Sequence, residues 1–569
     1  MMRILKILKN LLIYKEPIDP EGFEFVESSD GKVPSAEPSV ELTKKEKTKK
    51  TPLSIEDWNR EKNPDKQGAI STDLNINLSK IKEEFLVPKN ADVVIREFKI
   101  GRKVDAFIVF VDGMADKATV NDFVLRELME PEHFKNGFQG SIIDYILENV
   151  LSINQVNRVK EYENVVQEVL SGITALFIKG CSESILIESR GFDKRGVEKP
   201  SVESVVNGPQ EGFTEDLRTN ITLIRRILKN RKLVTEITKV GKKNNTNIAI
   251  MYLEDVVNPT IVEEVKKRIK SLDIDLVIEG GMLVQLIEDN PLVFFPQVLS
   301  TERPDRTVSL VAEGRVAIIV DGSPFVNIVP TTFFEQFHTS EDAYLSWYFG
   351  SFIRVIRLFG IFVSALLPGF YIALTTFHQE MLPTDLLITF ALSRENVPFP
   401  VIVETLIMEI SFELIREAGI RVPGVIGPAL GIIGAIILGQ AAVAANIVSP
   451  ILIIVIAVTG LGSFSLPNYS FSFSMRIVRF FFIFFGAISG YFGISAAIII
   501  LGGIACSIKS FGVPYFAPIA PKTKSGPDIL LRGPLWLQKE RPDYLNPLDK
   551  KRMGETPRGW TKEKEEGDK

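Results

Sequence analysis

The sequence predicts an α/β soluble N-terminal region of two subdomains followed by an α-helical multi-pass membrane domain. Three observations lead there. The chain has 569 residues, more than one compact core accommodates. Its mean hydropathy is +0.14 although 24% of its residues are charged, so apolar residues must be concentrated somewhere. They are concentrated after residue 352, whereas upstream short apolar runs alternate with amphipathic helical stretches.

The elements follow in order. MMRILKILKNLLIYKEP carries an apolar run broken by Lys6 and Lys9 and has no small-residue cleavage site. That pattern predicts a short amphipathic helix at a membrane surface, with the soluble region left in the cytosol. Residues 1–78 are expected to be a disordered, basic extension. From residue 18 they are rich in Pro, Ser, Glu and Lys and too poor in apolar residues to fold. Subdomain 1 is placed at 79–207. Strands are expected at 93–100 and 105–114 around a Gly-Arg-Lys hairpin, and helices near 121–129 and 159–170. Two more strands are expected at 172–180 and 184–192.

Subdomain 2 is placed at 208–345 and opens on VVNGPQEGFTEDLRTNITLIRRIL. Gly208-Pro209 is turn chemistry, Thr214 is the expected N-cap, and Leu217, Ile221, Ile224 and Leu228 make one apolar face. A glycine-rich loop before a basic helix can cradle phosphate, but no Walker or G-x-G-x-x-G pattern is present, so a structural junction is expected. Strands and helices then alternate to residue 332.

The membrane domain is placed at 346–510. Residues 358–377 are long enough to cross a bilayer, behind an aromatic belt of Tyr344, Trp347 and Tyr348. Further spans are expected at 425–447, 451–464 and 480–508. The last is read as one tilted helix or as a pair bent near Gly490 and Gly493. Residues 378–423 carry seven acids and three bases and are assigned to the outside, so the N-terminal region and the polar tail, 511–569, fall inside. Four spans satisfy this, with Arg476 and Arg479 at the outer end of the fourth, against the charge rule; a different count stays open.

Some function classes are disfavoured by composition. A net charge of -5 argues against nucleic-acid binding. Cys181 and Cys506 lie far apart, and His133, His338 and His378 lack metal-ligand spacing. No nucleophile–base pair is visible either, so no cofactor, metal or enzymatic activity is expected.

Several stretches carry a resemblance: GPQEGFTEDLRTNITLIRRIL, IEGGMLVQLIED with STERPDR, VAIIVDGSPFVNIVP, PFPVIVETLIMEISFELIREAGIRVPGVIG and GQAAVAANIVSP. Over about residues 80–520 the chain resembles the A subunits of the GerA-type spore germination receptors. A stage V sporulation paralogue of the same architecture belongs to the same group. The resemblance implies a nutrient-sensing, ion-conducting subunit of the spore inner membrane. It also implies a transporter-like B subunit and a lipoprotein C subunit as partners.

Two elements carry the physical case for conduction. In 425–447 a stripe of small residues, including Gly427, Gly431 and Gly434, suits close helix packing. The opposite face presents Ile436, Gln440, Val443 and Ile447. Ringed around an axis in a homo-oligomer, these would line a narrow apolar constriction that gates by dewetting, with Gln440 turned from lipid. The alternative is an interhelical hydrogen bond from Gln440 in a non-conducting bundle. The second element is an amphipathic interfacial helix at 399–419. Its Glu409, Glu413 and Glu417 would form an acidic vestibule, or would be locked by Glu413–Arg416 pairing. A non-conducting scaffold and a secondary transporter remain open as other functions; no inverted repeat is visible across the spans.

Overall fold

The computed structural model describes residues 68–135, 141–191, 199–200, 203–421, 434, 437–523 and 528–554. The expected N-terminal amphipathic helix lies outside these residues. The described fold already includes residues before the expected boundary at 78. Ile70 is buried, and Asp73 caps α1 (Leu74–Glu84) through the Asn75 N–H. Ile81 and Phe85 of that region join the subdomain 1 core, so the boundary reading overlooked a helical period at 70, 74, 78, 81 and 85.

Subdomain 1 continues with β1 (Val93–Ile100), β2 (Val104–Val111) and a π-helical turn, Thr119–Leu125, into α2 (Arg126–Met129). After these come α3 (Ile142–Asn149), β3 (Val156–Val159), α4 (Tyr162–Val169), β4 (Thr174–Ile178) and β5 (Ser184–Ile187). Its sheet order is β1-β2-β4-β5-β3. Subdomain 2 runs through α5 (Leu217–Ile227), β6 (Leu233–Val240), β7 (Thr246–Leu253), α6 (Pro259–Lys270) and α7 (Gly280–Ile287). It closes with β8 (Leu299–Thr301), α8 (Pro304–Val311), β9 (Val316–Val320) and β10 (Val326–Val329), in the sheet order β6-β7-β9-β10-β8. Every pairing in both sheets is antiparallel.

The two subdomains are therefore one fold used twice. Tyr162–Val169, Gly172, Thr174–Ile178 and Ser184–Ile187 recur at a constant displacement as Pro304–Val311, Gly314, Val316–Val320 and Val326–Val329. Gly172 and Gly314 both take positive φ, 96° and 103°, at the turn between helix and central strand, where a side chain would be strained. The central strands β4 and β9 are buried at every residue, which explains their unbroken apolar runs.

The junction helix α5 is capped by Asp216, whose carboxylate accepts the Thr219 N–H at 2.7 Å. The expected cap, Thr214, instead donates its N–H to Asn220 Oδ1 at 2.8 Å. Arg225 lies in the last turn of α5. It is buried and donates to Asp92 Oδ1 at 2.7 Å, Asn90 Oδ1 at 2.8 Å and Thr235 Oγ1 at 3.2 Å. The stretch is thus the linchpin that fastens subdomain 2 to the loop before β1.

After the short α9 (Glu341–Tyr344) the helical region begins. It contains α10 (Trp347–Thr376), α11 (Thr384–Arg394), α12 (Val401–Arg421), a helical segment at 437–444, α13 (Pro450–Phe464) and α14 (Tyr469–Ser507). Among the described residues, α10 and α14 are long and apolar enough to cross a membrane. Between the two readings of the last span, α14 takes the bent pair, broken at Ser489 and Gly490. Gly490 has φ 59°, and a Cβ there would lie 2.6 Å from the His378 ring. The two halves run antiparallel. Ser474 in the first half donates to Phe294 O at 2.5 Å, and Ser510, just past the second half, donates to Gln297 O at 2.6 Å. Both ends of α14 therefore sit against subdomain 2, and the bend sits beside His378 at the far end of α10. Arg476 and Arg479, expected at the outer end, lie instead about two and three turns from the end that faces the soluble region. The single-helix reading placed the two ends on opposite sides, whereas in the hairpin both ends share the side of the soluble region.

The tail packs on the soluble region. Leu548 N–H donates to Val256 O at 2.9 Å, Arg541 to Ala312 O at 3.0 Å, and Tyr544 OH to Glu335 at 2.9 Å.

Candidate functional site

The helical segment 437–444 and the residues after it carry the expected pore face. Gly427, Gly431 and Ile436 lie outside the described residues. On the small-residue side, a Cβ on Gly434 would meet Ile415 of α12 at 3.8 Å, one on Gly439 would meet Ile453 of α13 at 3.6 Å, and Ala442 is buried. Gln440 and Ile447 are exposed, and Val443 is half-buried against the cluster of Tyr371, Val401 and Leu452. The small residues thus turn toward the helices of this chain, while Gln440 and Ile447 turn away. An amide on the outer surface of an apolar bundle needs water or protein beside it, since hydrocarbon satisfies none of its hydrogen bonds.

The acidic helix differs from its expectation. Rather than lying on the surface as an interfacial helix, α12 packs against α10 and α13 and buries Glu404, Thr405, Met408 and Glu409. Each buried acid has a cation. Arg394 reaches Glu404 at 3.0 Å, and Glu404 also accepts the Ser449 N–H at 3.1 Å. Arg479 Nη1 lies 2.5 Å from Glu409 Oε2 and 3.7 Å from Glu413 Oε1, while its Nε donates to Ser364 O at 2.9 Å. Arg476 pairs with Glu413 at 2.9 Å, and the Glu413–Arg416 pair is 3.9 Å apart. Glu409 and Glu413 are therefore engaged inside the bundle, and of the three proposed vestibule acids Glu417 is the exposed one. The charge that excluded α12 from the apolar layer is neutralised by α14. A buried pair of this kind contributes little net stability when intact, but breaking it costs several kcal/mol.

Glycines set the helix crossings. A Cβ on Gly369 of α10 would lie 2.8 Å from Phe482 O, and one on Gly486 of α14 would lie 2.8 Å from Gly369 O. Neither glycine was singled out from the sequence. The signal was there in the small residues of 360–369 and 486–493, masked by their spacing across two helices.

A polar junction joins the helices to the soluble region. Asp342, fully buried, receives Arg354 Nε at 2.9 Å and Arg357 Nη1 at 2.8 Å from the first turns of α10. Burial pushes its carboxyl up, and the two guanidiniums more than reverse this, leaving it below the ordinary value of 3.8. His338 Nε2–H donates to Ile529 O, 2.7 Å away. Burial, aided by the charge of Arg354, holds its imidazole well below 6.5, so it is neutral. Arg315, Glu335 and Tyr544 form a second buried knot, and the two knots flank a cavity of about 180 Å³. Among the described residues no group of three His, Cys, Asp or Glu could hold a metal ion. These pairings were not legible in the sequence, because the partners of Arg354 and Arg357, in α9 or far along the chain, carry no local signature.

Residues 79–544 match the family described as Bacillus/Clostridium GerA spore germination protein. The chain is 40% identical over 492 residues to spore germination protein KA of Bacillus subtilis (strain 168), covering 86% of this chain and 90% of that protein. It is 39% identical to spore germination protein GerLA of Bacillus cereus, covering 83% of this chain and 95% of that one. It is also 38% identical to the uncharacterized membrane protein YfkQ of Bacillus subtilis, over 83% of this chain and 91% of that one. Among solved structures, the N-terminal domain of the A subunit of the Bacillus megaterium spore germinant receptor GerK3 covers 47% of this chain and 97% of its own length. That pair has 31% identity and a TM-score of 0.38.

Proposed function

The chain belongs to the GerA family of spore germination proteins, and from that membership we propose that it is the A subunit of a nutrient receptor. In this reading it resides in the inner membrane of the spore. It assembles with further copies of itself into a gated ion channel, and with a transporter-like B subunit and a lipoprotein C subunit into a receptor. Nutrient capture opens the channel and releases cations.

The observation that carries the conducting role is the outward face of residues 437–447. Gln440 and Ile447 are exposed, with the apolar side chains of Ile437 and Leu438 exposed beside them. A ring of copies would enclose these residues around an axis and give Gln440 the polar surroundings it needs. Val443 and Ile447 would then form an apolar constriction that excludes water at rest. In this ring the exposed Glu417 remains a candidate for an acidic mouth, whereas Glu409 and Glu413 brace α12 against α14.

Spores test the proposal. Val443→Ala and Ile447→Ala, at wild-type protein level, are expected to leak cations or germinate without nutrient. Unchanged resting leak and unchanged triggered release in both variants would move the pore elsewhere, first to α14.

A further inference from the structure

The tail was expected to be polar, but one stretch of it is not. In Ile529–Leu537, Leu530, Leu531, Leu535, Trp536 and Leu537 are each between 39% and 55% exposed. Leu535–Leu537 form a 3₁₀ turn with no buried residue. Five large apolar side chains within eight residues, all open, are not explained by contact with subdomain 2.

Their position explains them. Ser351 of α10 clasps the backbone of Arg532 on both sides: its hydroxyl donates to Arg532 O at 2.9 Å and accepts the Arg532 N–H at 3.1 Å. The Arg532 guanidinium donates to Asp342 O, and its Cδ lies 3.1 Å from a Cβ built on Gly350. The apolar stretch is thereby fixed to the first turns of α10. There Trp347, Tyr348, Phe349 and Phe352 are also exposed. Ser351 lies about 10 Å along the helix before the apolar run that starts at Leu358, at the outer edge of a headgroup layer roughly 5–8 Å deep. Aromatic and leucine side chains suit that layer, where apolar bodies meet acyl chains, and the exposed pair Lys539 and Glu540 follows them at the polar side.

We propose that residues 530–537 form a lipid-facing anchor that lies in the membrane interface beside the entry of α10. The occupant of this surface is the bilayer itself. The proposal rests on the reading of α10 as a membrane-spanning helix. It gives the tail a role: the segment straps subdomain 2 to the membrane, through Asp528 and Arg532 on one side and Tyr544 on the other.

The chain has four tryptophans, Trp58, Trp347, Trp536 and Trp560. Replacing Trp58, Trp347 and Trp560 with Phe in the full chain leaves Trp536 as the reporter. A second protein carries Phe362→Trp on the exposed face of α10 and Phe at all four native positions. Both are reconstituted in vesicles of phosphatidylglycerol and phosphatidylcholine, with the phosphatidylcholine chains brominated near the headgroup or at mid-chain. The expected result is loss of Trp536 emission with headgroup-proximal bromine, little loss with acrylamide in the water, and loss of the α10 reporter with mid-chain bromine. An α10 reporter quenched by lipid beside a Trp536 quenched by acrylamide overturns the anchor and keeps the membrane reading. A Trp536 protected from both quenchers assigns the surface to a second copy or another protein, and also overturns the anchor. An α10 reporter that bromolipid leaves untouched removes the membrane reading, and the anchor with it. Should Trp347→Phe lower the yield, Tyr at that position keeps the aromatic girdle, and selective excitation of Trp536 remains available.

Discussion

At the scale of single residues, buried charge decides the tolerances. Arg225 and Arg479 are both buried, and each is held by carboxylate partners from a distant part of the chain. Removing one partner strands the other, at a cost of about 3–5 kcal/mol, whereas replacing both by apolar groups of similar volume costs much less. Glu409→Gln is therefore expected to lower the thermal midpoint of the detergent-solubilised chain by several degrees, with Glu409→Leu/Arg479→Met recovering most of the loss. Equal midpoints for Glu409→Gln and the parent would remove the pair from the account. Arg225→Ala should likewise reduce protein level, and no nucleotide binding should be lost with it. Two groups of the soluble region set opposite flanks of a pH profile. Burial, with the Asp289 charge added, pushes Glu288 from 4.5 up to about 7, so its contribution is present below 4.5 and is lost as pH rises through 7. His338 is held well below 6.5, so its contribution is present above 6.5 and is lost as pH falls beneath it, because the unfolded chain takes the proton first. Glu288→Gln should therefore gain about 1–2 kcal/mol over the parent at pH 8 after allowance for solvent screening, and nothing at pH 4. His338→Gln should flatten the acid flank between pH 6.5 and 5. Parallel profiles for parent and variants, read by thermal unfolding from pH 4 to 8, would contradict both assignments.

At the scale of elements, local pattern carried the soluble region and missed what depends on partners. The longer strands of both sheets were legible because their apolar runs are bounded by Gly and polar turns, and α5 because its apolar face keeps a helical period, whereas the short edge strands β3 and β8 were missed. The Thr214 cap failed because two acids follow it, and the carboxylate nearer the first turn took the N–H. The placement of α12 failed for a longer-range reason: its charges read as solvated until Arg476 and Arg479, 63 and 70 residues along the chain from their partners, arrive from α14 to neutralise Glu413 and Glu409. Those two arginines were themselves the available signal, since cations within an apolar helix require buried partners. The bend in α14 was legible as a choice, and Gly490 resolves it. Gly490→Ala, with φ 59° and a Cβ 2.6 Å from His378, should abolish accumulation of the protein. Wild-type levels of a folded Gly490→Ala protein would show that the hairpin is absent. On the helical segment before α13, the two faces should separate by phenotype. Gly434→Leu should impair assembly, while Val443→Ala should leave assembly intact and alter resting leak; identical phenotypes would deny that the faces differ in role.

At the scale of the whole molecule, three devices converge on the mouth of the helical region: the duplicated soluble fold, the Asp342 clasp on α10, and the tail that straps one to the other. The duplication was invisible to sequence reading because the repeats share topology and turn glycines while their side chains diverge. The charge knots were invisible because they join residues such as Arg354 and Asp528 that are far apart in the chain. Such a coupling would let movement of the soluble region reach α10, and through Ser364 the buried Arg479–Glu409 pair that joins α14 to α12. The central claim is that copies of this chain enclose an ion path lined by Val443 and Ile447. Planar-bilayer recording of purified parent and Val443→Ala proteins, each first confirmed as an oligomer by native mass measurement, tests it most directly. The account predicts a silent parent and discrete cation-carrying openings from the variant. Silence from both inserted oligomers, or openings of equal frequency and conductance in both, would contradict it.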